Sequence, residues 1–143
     1  MKLVINKKAK YDYQISKIYT AGIALEGREV KSLRLKHASL TGSFVKIIDA
    51  EAFLLNAQIS PYAFAQNDNY EPKRTRKLLL TKKELADLFQ ATQNKGWVII
   101  PLSIDLKGRN IKVEIGLGKG KKVFEKREAI KKRDLEREVR RNF

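Results

Sequence analysis

The side chains able to do chemistry in this sequence are almost all cationic. Lys7, Lys8, Lys10, Arg74, Arg76, Lys77, Lys112, Lys121 and Lys122 are interleaved with Tyr11, Tyr13, Tyr62 and Phe124. Cations neutralise phosphates and aromatic rings stack on unpaired bases, the pairing used on folded or single-stranded RNA. Catalytic chemistry is poorly provided for. His37 is the only imidazole and there is no cysteine, so Ser-His-Asp, Cys-His and His- or thiolate-based metal sites cannot be assembled. His37 reads as a solvated loop residue beside Lys36. A two-carboxylate mechanism on Glu26 and Glu29 is formally open, but acidic residues at a helix start are more simply first-turn charges that complement the dipole. "GLGKGKK" lacks the GxxxxGK[ST] spacing of a phosphate-cradling loop. No enzyme, metal or cofactor is expected.

Taken one at a time, most tyrosines suit a sheet core and many lysines a soluble surface. The sum does not: a formal net charge of +15 on 143 residues calls for a polyanionic partner, nucleic acid ahead of an anionic membrane surface. No apolar run approaches the roughly 18 residues of a membrane span, and "MKLVINKKAK" lacks the apolar centre of a signal peptide. A monomer in a reducing cytoplasm is the expected setting.

The chain suffices for one core. Residues 119–143 hold 11 Lys and Arg against 5 Asp and Glu, which leaves 20 against 11 before them; both parts are basic, but nearly all apolar periodicity lies in the first. A boundary follows near Gly120: 1–120 an RNA-binding β-barrel domain, 121–143 a basic C-terminal tail. Within the body, "YDYQISKIYTAGIAL" suits a long strand bending at Gly22. "GREVKSLRLK" suits a short helix resting Val30 and Leu33 on a sheet. "SFVKIIDAEAFLLN" reads as a hairpin turning at Asp49 and Ala50, and "RTRKLLL" as a basic edge entering a buried strand. "TKKELADLFQATQNKG" predicts the best helix. Thr81 caps it, Glu84 completes a capping box, Leu85, Leu88 and Phe89 form its apolar face, and Gly96 ends it. "WVIIPLSIDL" predicts a strand with Ile100, Leu102, Ile104 and Leu106 on one face and an edge or bulge at Pro101. "KGRN" then turns into "IKVEIGLG", with Ile111, Val113, Ile115 and Leu117 on one face. The class is mainly β: a small antiparallel oligonucleotide-binding-like β-barrel with two or three flanking helices.

The tail is rich in Glu, Lys, Arg and Ala, with favourable pairs such as Glu128 with Lys132. Its apolar stripe of Ile130, Leu135, Val139 and Phe143 is thin, and an isolated helix of this length is marginal in water. It is expected to be disordered when free and helical when laid along RNA phosphates.

Seven ordered stretches, "NKKAKYDY", "AGIAL" with "GREVKSLR", "QISPY", "RTRKLLL", "KKEL", "IKVEIGLGKGKK" and "KREAIKKRD", span nearly the whole chain, and in them it resembles the SmpB family, the SsrA-binding proteins of bacterial trans-translation. The resemblance implies an adaptor whose barrel grips the tRNA-like domain of transfer-messenger RNA (SsrA RNA) and brings it to stalled ribosomes, with elongation factor Tu as a further partner on the same RNA. It implies contacts to that domain from Asn6, Lys7, Lys8, Gly22, Arg76, Lys77, Leu79 and Lys112. Gly120, Lys121, Lys122, Phe124, Lys126 and Arg127 match the part of the tail that, on the ribosome, probes the empty messenger channel and the small-subunit decoding centre. Four positions depart from the pattern. Thr20 replaces an acidic residue, His37 a Lys, Glu125 the Asp of a "DKR" motif, and Phe124 a His or Tyr, so it can stack but not donate a hydrogen bond. A generic single-stranded RNA-binding barrel and a ribosome-associated structural protein are the alternatives.

Overall fold

In the computed structural model, which describes residues 1–121, nine strands and three helices follow the chain as β1 Lys2–Ile5, α1 Ala9–Asp12, β2 Tyr13–Ile23, α2 Gly27–Arg34, β3 Ala38–Ser39, β4 Phe44–Ile48, β5 Glu51–Leu55, β6 Gln58–Ile59, β7 Arg76–Leu79, α3 Lys82–Thr92, β8 Trp97–Lys107 and β9 Asn110–Gly120. Each strand of the ring β8-β4-β5-β7-β2-β9 bonds its neighbours, and β9 returns to β8, so the sheet closes on itself with β1 added outside β8. Every pairing is antiparallel. Closure removes the edges that an open sheet this size would offer to other chains. The ring is uneven. β8 and β9 pair over their full length, whereas β4 meets β8 through the single pair Val45↔Ile99.

Local chemistry explains most elements. Thr81 Oγ1 accepts from the Glu84 N–H at 3.2 Å and Glu84 Oε1 from the Thr81 N–H at 3.0 Å, the reciprocal box that satisfies two orphan donors at the start of α3. α2 opens with a box made by Glu26 and Glu29 instead. The "KGRN" turn closes the Lys107↔Asn110 pair, with Gly108 taking the positive φ of 62° that such a tight loop requires. The "DA" turn does the same without glycine: Asp49 and Ala50 sit at φ 51° and 61°. Asp tolerates that region, but Ala there costs about 1 kcal/mol. Ala50→Gly is therefore expected to raise stability by about 0.5 kcal/mol, the relief of strain being offset in part by a freer unfolded chain, seen as a higher urea midpoint at unchanged m.

Four expectations change on inspection. The long strand begins at Tyr13, because Tyr11 and Asp12 belong to the turn of α1. α3 ends at Thr92, and Gly96, though left-handed at φ 88°, lies in the loop beyond it. Phe89 is 51% exposed while Leu88 is fully buried, since the apolar stripe of α3 is narrower than its sequence suggests. In β8 a register shift between Pro101 and Ser103 reverses the alternation, so Ile99 joins Ile104 in the core cluster and Ile100 is buried outside it. The bulge expected at Pro101 is there, and it is what breaks the simple period. In β9 the expected face holds: Val113, Ile115 and Leu117 are buried in that cluster and Ile111 packs against it.

Candidate nucleic-acid interface

Strand pairing assembles one cluster on the outside of the barrel. Gly22 on β2 is the ladder partner of both Leu79 on β7 and Lys112 on β9, so three residues far apart in sequence stand side by side. Leu79 is 55% exposed, which no core requires. A Cβ built on Gly22 would stand 3.2 Å from the Leu79 Cβ, so glycine lets the two strands and the leucine sit flush. Lys77 lies two residues along β7 on the same face, exposed, with its Nζ 3.1 Å from Glu51. Thr20, where the resemblance implies an acidic residue, is paired with Glu114. A carboxylate thus stands one strand over from Thr20. Alternation in "IKVEIGLG" puts Glu114 on the same face as Lys112, but only the register brings it beside Thr20.

Asn6, Lys7 and Lys8 stand elsewhere. β8 and β9 lie between β1 and β2, a separation on the order of 14 Å at ordinary strand spacing. Asn6 is a positioning residue: its Nδ2 donates to the Pro101 carbonyl at 2.9 Å and its N–H to that of Leu102 at 2.8 Å. Those bonds hold the β1–α1 link against β8 and leave Lys7 and Lys8 exposed. Gly120, ladder partner of Tyr13, ends β9. Lys121 donates its N–H to the Asp12 carbonyl at 2.9 Å and its Nζ to the Lys10 carbonyl at 2.8 Å, so the chain leaves the barrel beside α1. Lys122, Phe124, Lys126 and Arg127 lie outside the described residues.

Arg76 stands apart from the other predicted contacts. It is fully buried, with Nε 2.6 Å from Glu29 Oε2, Nη1 donating to the Ala57 carbonyl at 2.8 Å and Nη2 to the Pro72 carbonyl at 3.0 Å. Its guanidinium has no open side for a phosphate. Arg74 reaches the other oxygen of Glu29 at 2.6 Å. The two arginines thus fork one buried carboxylate and tie the 60–75 loop to α2 and β7, fixing the strand that carries Lys77 and Leu79. "RTRKLLL" gave no sign of this, since Glu29 lies 47 residues earlier. Tyr70 adds to the clamp: its hydroxyl donates to the Ile59 carbonyl at 2.6 Å, and the Arg28 guanidinium lies 4.6 Å from its ring centre. Burial, then the Glu29 charge, pushes that phenol up, which keeps the donor protonated.

Burial alone would raise the Glu29 carboxyl, but hydrogen bonds from Arg74, from the Glu26 N–H and from Arg76 outweigh it and hold the group below its ordinary range. A carboxyl held low in the folded state binds its proton more readily when unfolded, so its stabilisation is complete above the unfolded value and fades as pH falls. Urea midpoints should therefore be level on this account above about pH 6 and drop below about pH 4.5. Glu29→Gln should flatten that drop.

His37, the one imidazole, is exposed on the link after α2. Among the described residues no cluster of His, Asp or Glu could hold a metal ion, and no helix is long and apolar enough to cross a membrane.

A closed antiparallel barrel with cationic and apolar side chains displayed on its outer wall defines the class of small oligonucleotide-binding-like barrels. Within that class the chain belongs to the SmpB family, whose model, described as "SmpB protein", matches residues 3–143. A relative named SsrA-binding protein from Caldicellulosiruptor saccharolyticus is 50% identical over 141 residues, covering 99% of this chain and 89% of the relative. Another of the same name from Carboxydothermus hydrogenoformans is 49% identical over 134 residues, covering 94% and 90%. A solved structure described as "tmRNA-SmpB: a journey to the center of the bacterial ribosome" is 45% identical with a TM-score of 0.70, covering 83% of this chain and 84% of that one.

Proposed function

We propose that this protein is an RNA-binding adaptor that holds the tRNA-like domain of transfer-messenger RNA and delivers it to stalled ribosomes for trans-translation. The observation that carries the reading is near-full-length identity of 47% to 50% with proteins named for binding SsrA RNA. The geometry supports it at the level of residues. Gly22, Leu79, Lys77 and Lys112 offer a flat wall where apolar contact and two ammonium groups meet a folded RNA backbone, and Lys7 and Lys8 offer a second point of attachment on the same barrel. Arg76 acts by positioning β7. The tail from Lys122 onward serves the messenger channel and decoding centre, where Lys122, Phe124, Lys126 and Arg127 take the place of pairing between messenger and transfer RNA. The protein makes no covalent bond itself, works as a monomer in the cytoplasm, and shares its RNA with elongation factor Tu.

A competition gel over a salt series tests the central claim. An unstructured RNA should displace the labelled tRNA-like domain at least roughly tenfold less well than the unlabelled domain, and the gap should persist as salt rises, because shape recognition outlasts phosphate attraction. Equal competition at every salt would favour a generic single-stranded RNA-binding barrel.

A further inference from the structure

The loop between β6 and β7 holds an aromatic side chain out from the barrel. Phe64 is 88% exposed, the most of any large apolar residue among the described residues, and the loop around it is tightly tied. The Tyr62 carbonyl accepts from the Ala65 N–H at 3.1 Å and from Asn67 Nδ2 at 2.8 Å, closing a turn with Ala63 and Phe64 at its two central positions. Ser32 Oγ donates to the Ser60 carbonyl at 2.6 Å and Arg28 Nη1 to the Gln66 carbonyl at 2.9 Å, so the loop is fastened to α2 on both sides of the turn. The Tyr62 ring meets Phe64 edge to face, with centroids 5.6 Å apart and an interplanar angle of 67°. That arrangement favours the pair and props the outer ring in place with its own faces open to solvent.

We propose that Phe64, supported by Tyr62, is a stacking platform for one unpaired base of RNA, and that Lys31 and Arg34 hold the phosphates beside that base. Lys31 Nζ lies 5.6 Å from the Tyr62 ring centre, so one cation already stands at the platform. Arg34 follows three residues later on α2, a neighbour on the same side of the helix. Both are exposed, and neither forms an ion pair among the described residues. The acidic groups of α2 and its cap are engaged elsewhere, Glu29 by Arg74 and Arg76 and Glu26 by Arg28. The loop's own carboxylates are Asp68 and Glu71, and Glu71 Oε1 accepts from the Lys73 N–H at 3.1 Å. A nucleotide carries a flat π-face and an anion on one unit, the combination that an exposed ring beside unpaired cations accepts. An anionic membrane is the rival, but insertion into one calls for a wider apolar face than two rings. The far limb of the loop is fixed by the Glu29 clamp, so docking a base orders little that is not already ordered. The proposal rests on RNA binding as read above, and not on which RNA is bound.

Fluorescence anisotropy of a short, labelled, unstructured RNA tests it on the full-length protein. Phe64→Ala should weaken binding about tenfold, with the slope of log affinity against log salt unchanged because no charge is lost. Phe64→Leu should lose as much, since it keeps apolar bulk without a ring, and Phe64→Trp should bind at least as well as wild type. Lys31→Gln should instead make the slope shallower by about 0.7, the share of one phosphate contact on a single strand. Urea midpoints of the Phe64 variants should match wild type, the side chain being outside any core. An RNA carrying iodouridine should photocrosslink at Phe64 or Tyr62. Unaltered affinity in Phe64→Ala, full affinity in Phe64→Leu, or crosslinks that map elsewhere would overturn the proposal. So would binding to phosphatidylserine vesicles that falls in Phe64→Ala while RNA affinity is kept, because the ring would then serve a membrane. The tRNA-like domain, measured in parallel, keeps the two readings apart. A wild type that prefers this domain, with Phe64 variants indistinguishable from it on unstructured RNA, defeats the platform alone; a wild type without that preference, but with the Phe64 losses, defeats the adaptor and leaves the platform standing.

Discussion

Glu29→Gln should cost about 3–5 kcal/mol of folding stability, the range for breaking a buried ion pair by removing one partner. Glu29 and Arg76 are both fully buried, and the amide would leave one guanidinium uncompensated where no water reaches. Arg74, more exposed, would lose its 2.6 Å contact as well. A domain of ordinary stability holds only about 5–15 kcal/mol, so the variant should lose a large share of its stability and unfold at a clearly lower urea concentration. Arg76→Met should be comparably damaging, through a stranded carboxylate and through the Ala57 carbonyl deprived of its guanidinium donor, the Pro72 carbonyl keeping the Ile59 N–H. Urea unfolding at pH 7 measures both, and losses below about 1 kcal/mol would show that the clamp is not what holds the 60–75 loop. A direct phosphate contact at Arg76 makes the contrary forecast, of weaker RNA binding with stability intact, and its burial argues against that.

Removal of residues 122–143 is expected to separate the two halves of the proposed function. The barrel closes at β9, and Gly120 and Lys121 are fixed by the body. The truncated protein should thus keep Gly22, Leu79, Lys77 and Lys112 in place and retain most of its affinity for the tRNA-like domain. A modest loss is expected from the cations removed, visible as a shallower salt dependence. Peptide tagging on stalled ribosomes should fall to background, because nothing remains to occupy the messenger channel. Filter binding and a reconstituted tagging assay give the two readings. Loss of both together, with the barrel still folded by circular dichroism, would defeat the division of labour between body and tail.

Several parts of the fold are legible in the sequence through local physical chemistry. The capping box at Thr81, the β8–β9 hairpin, the turn at Asp49 and Ala50 and the core face of β9 all follow from neighbours in sequence, and each is present. The cationic excess that points to a polyanion is a sum over composition and needs no geometry. The residues of the outer cluster came from a resemblance in motifs, which named Gly22, Leu79 and Lys112 without saying that they touch.

What tertiary structure alone decided is which side chains face inward and which strands meet. β7 has no alternating hydrophobic signal, for "RKLL" puts a charge at its first inward position; Arg76 turns in only because Glu29, far off in sequence, supplies the countercharge that makes burial tolerable. Glu114 stands beside the place of the missing acidic residue because β2 and β9 pair in one register and no other. The parting between β4 and β8, which share only the Val45↔Ile99 pair, likewise depends on how the ring closes. Local preference is set by interactions a few residues long, and the sequence by itself determines it; register, closure and buried charge pairing are settled by contacts between distant segments that only the folded chain brings within reach.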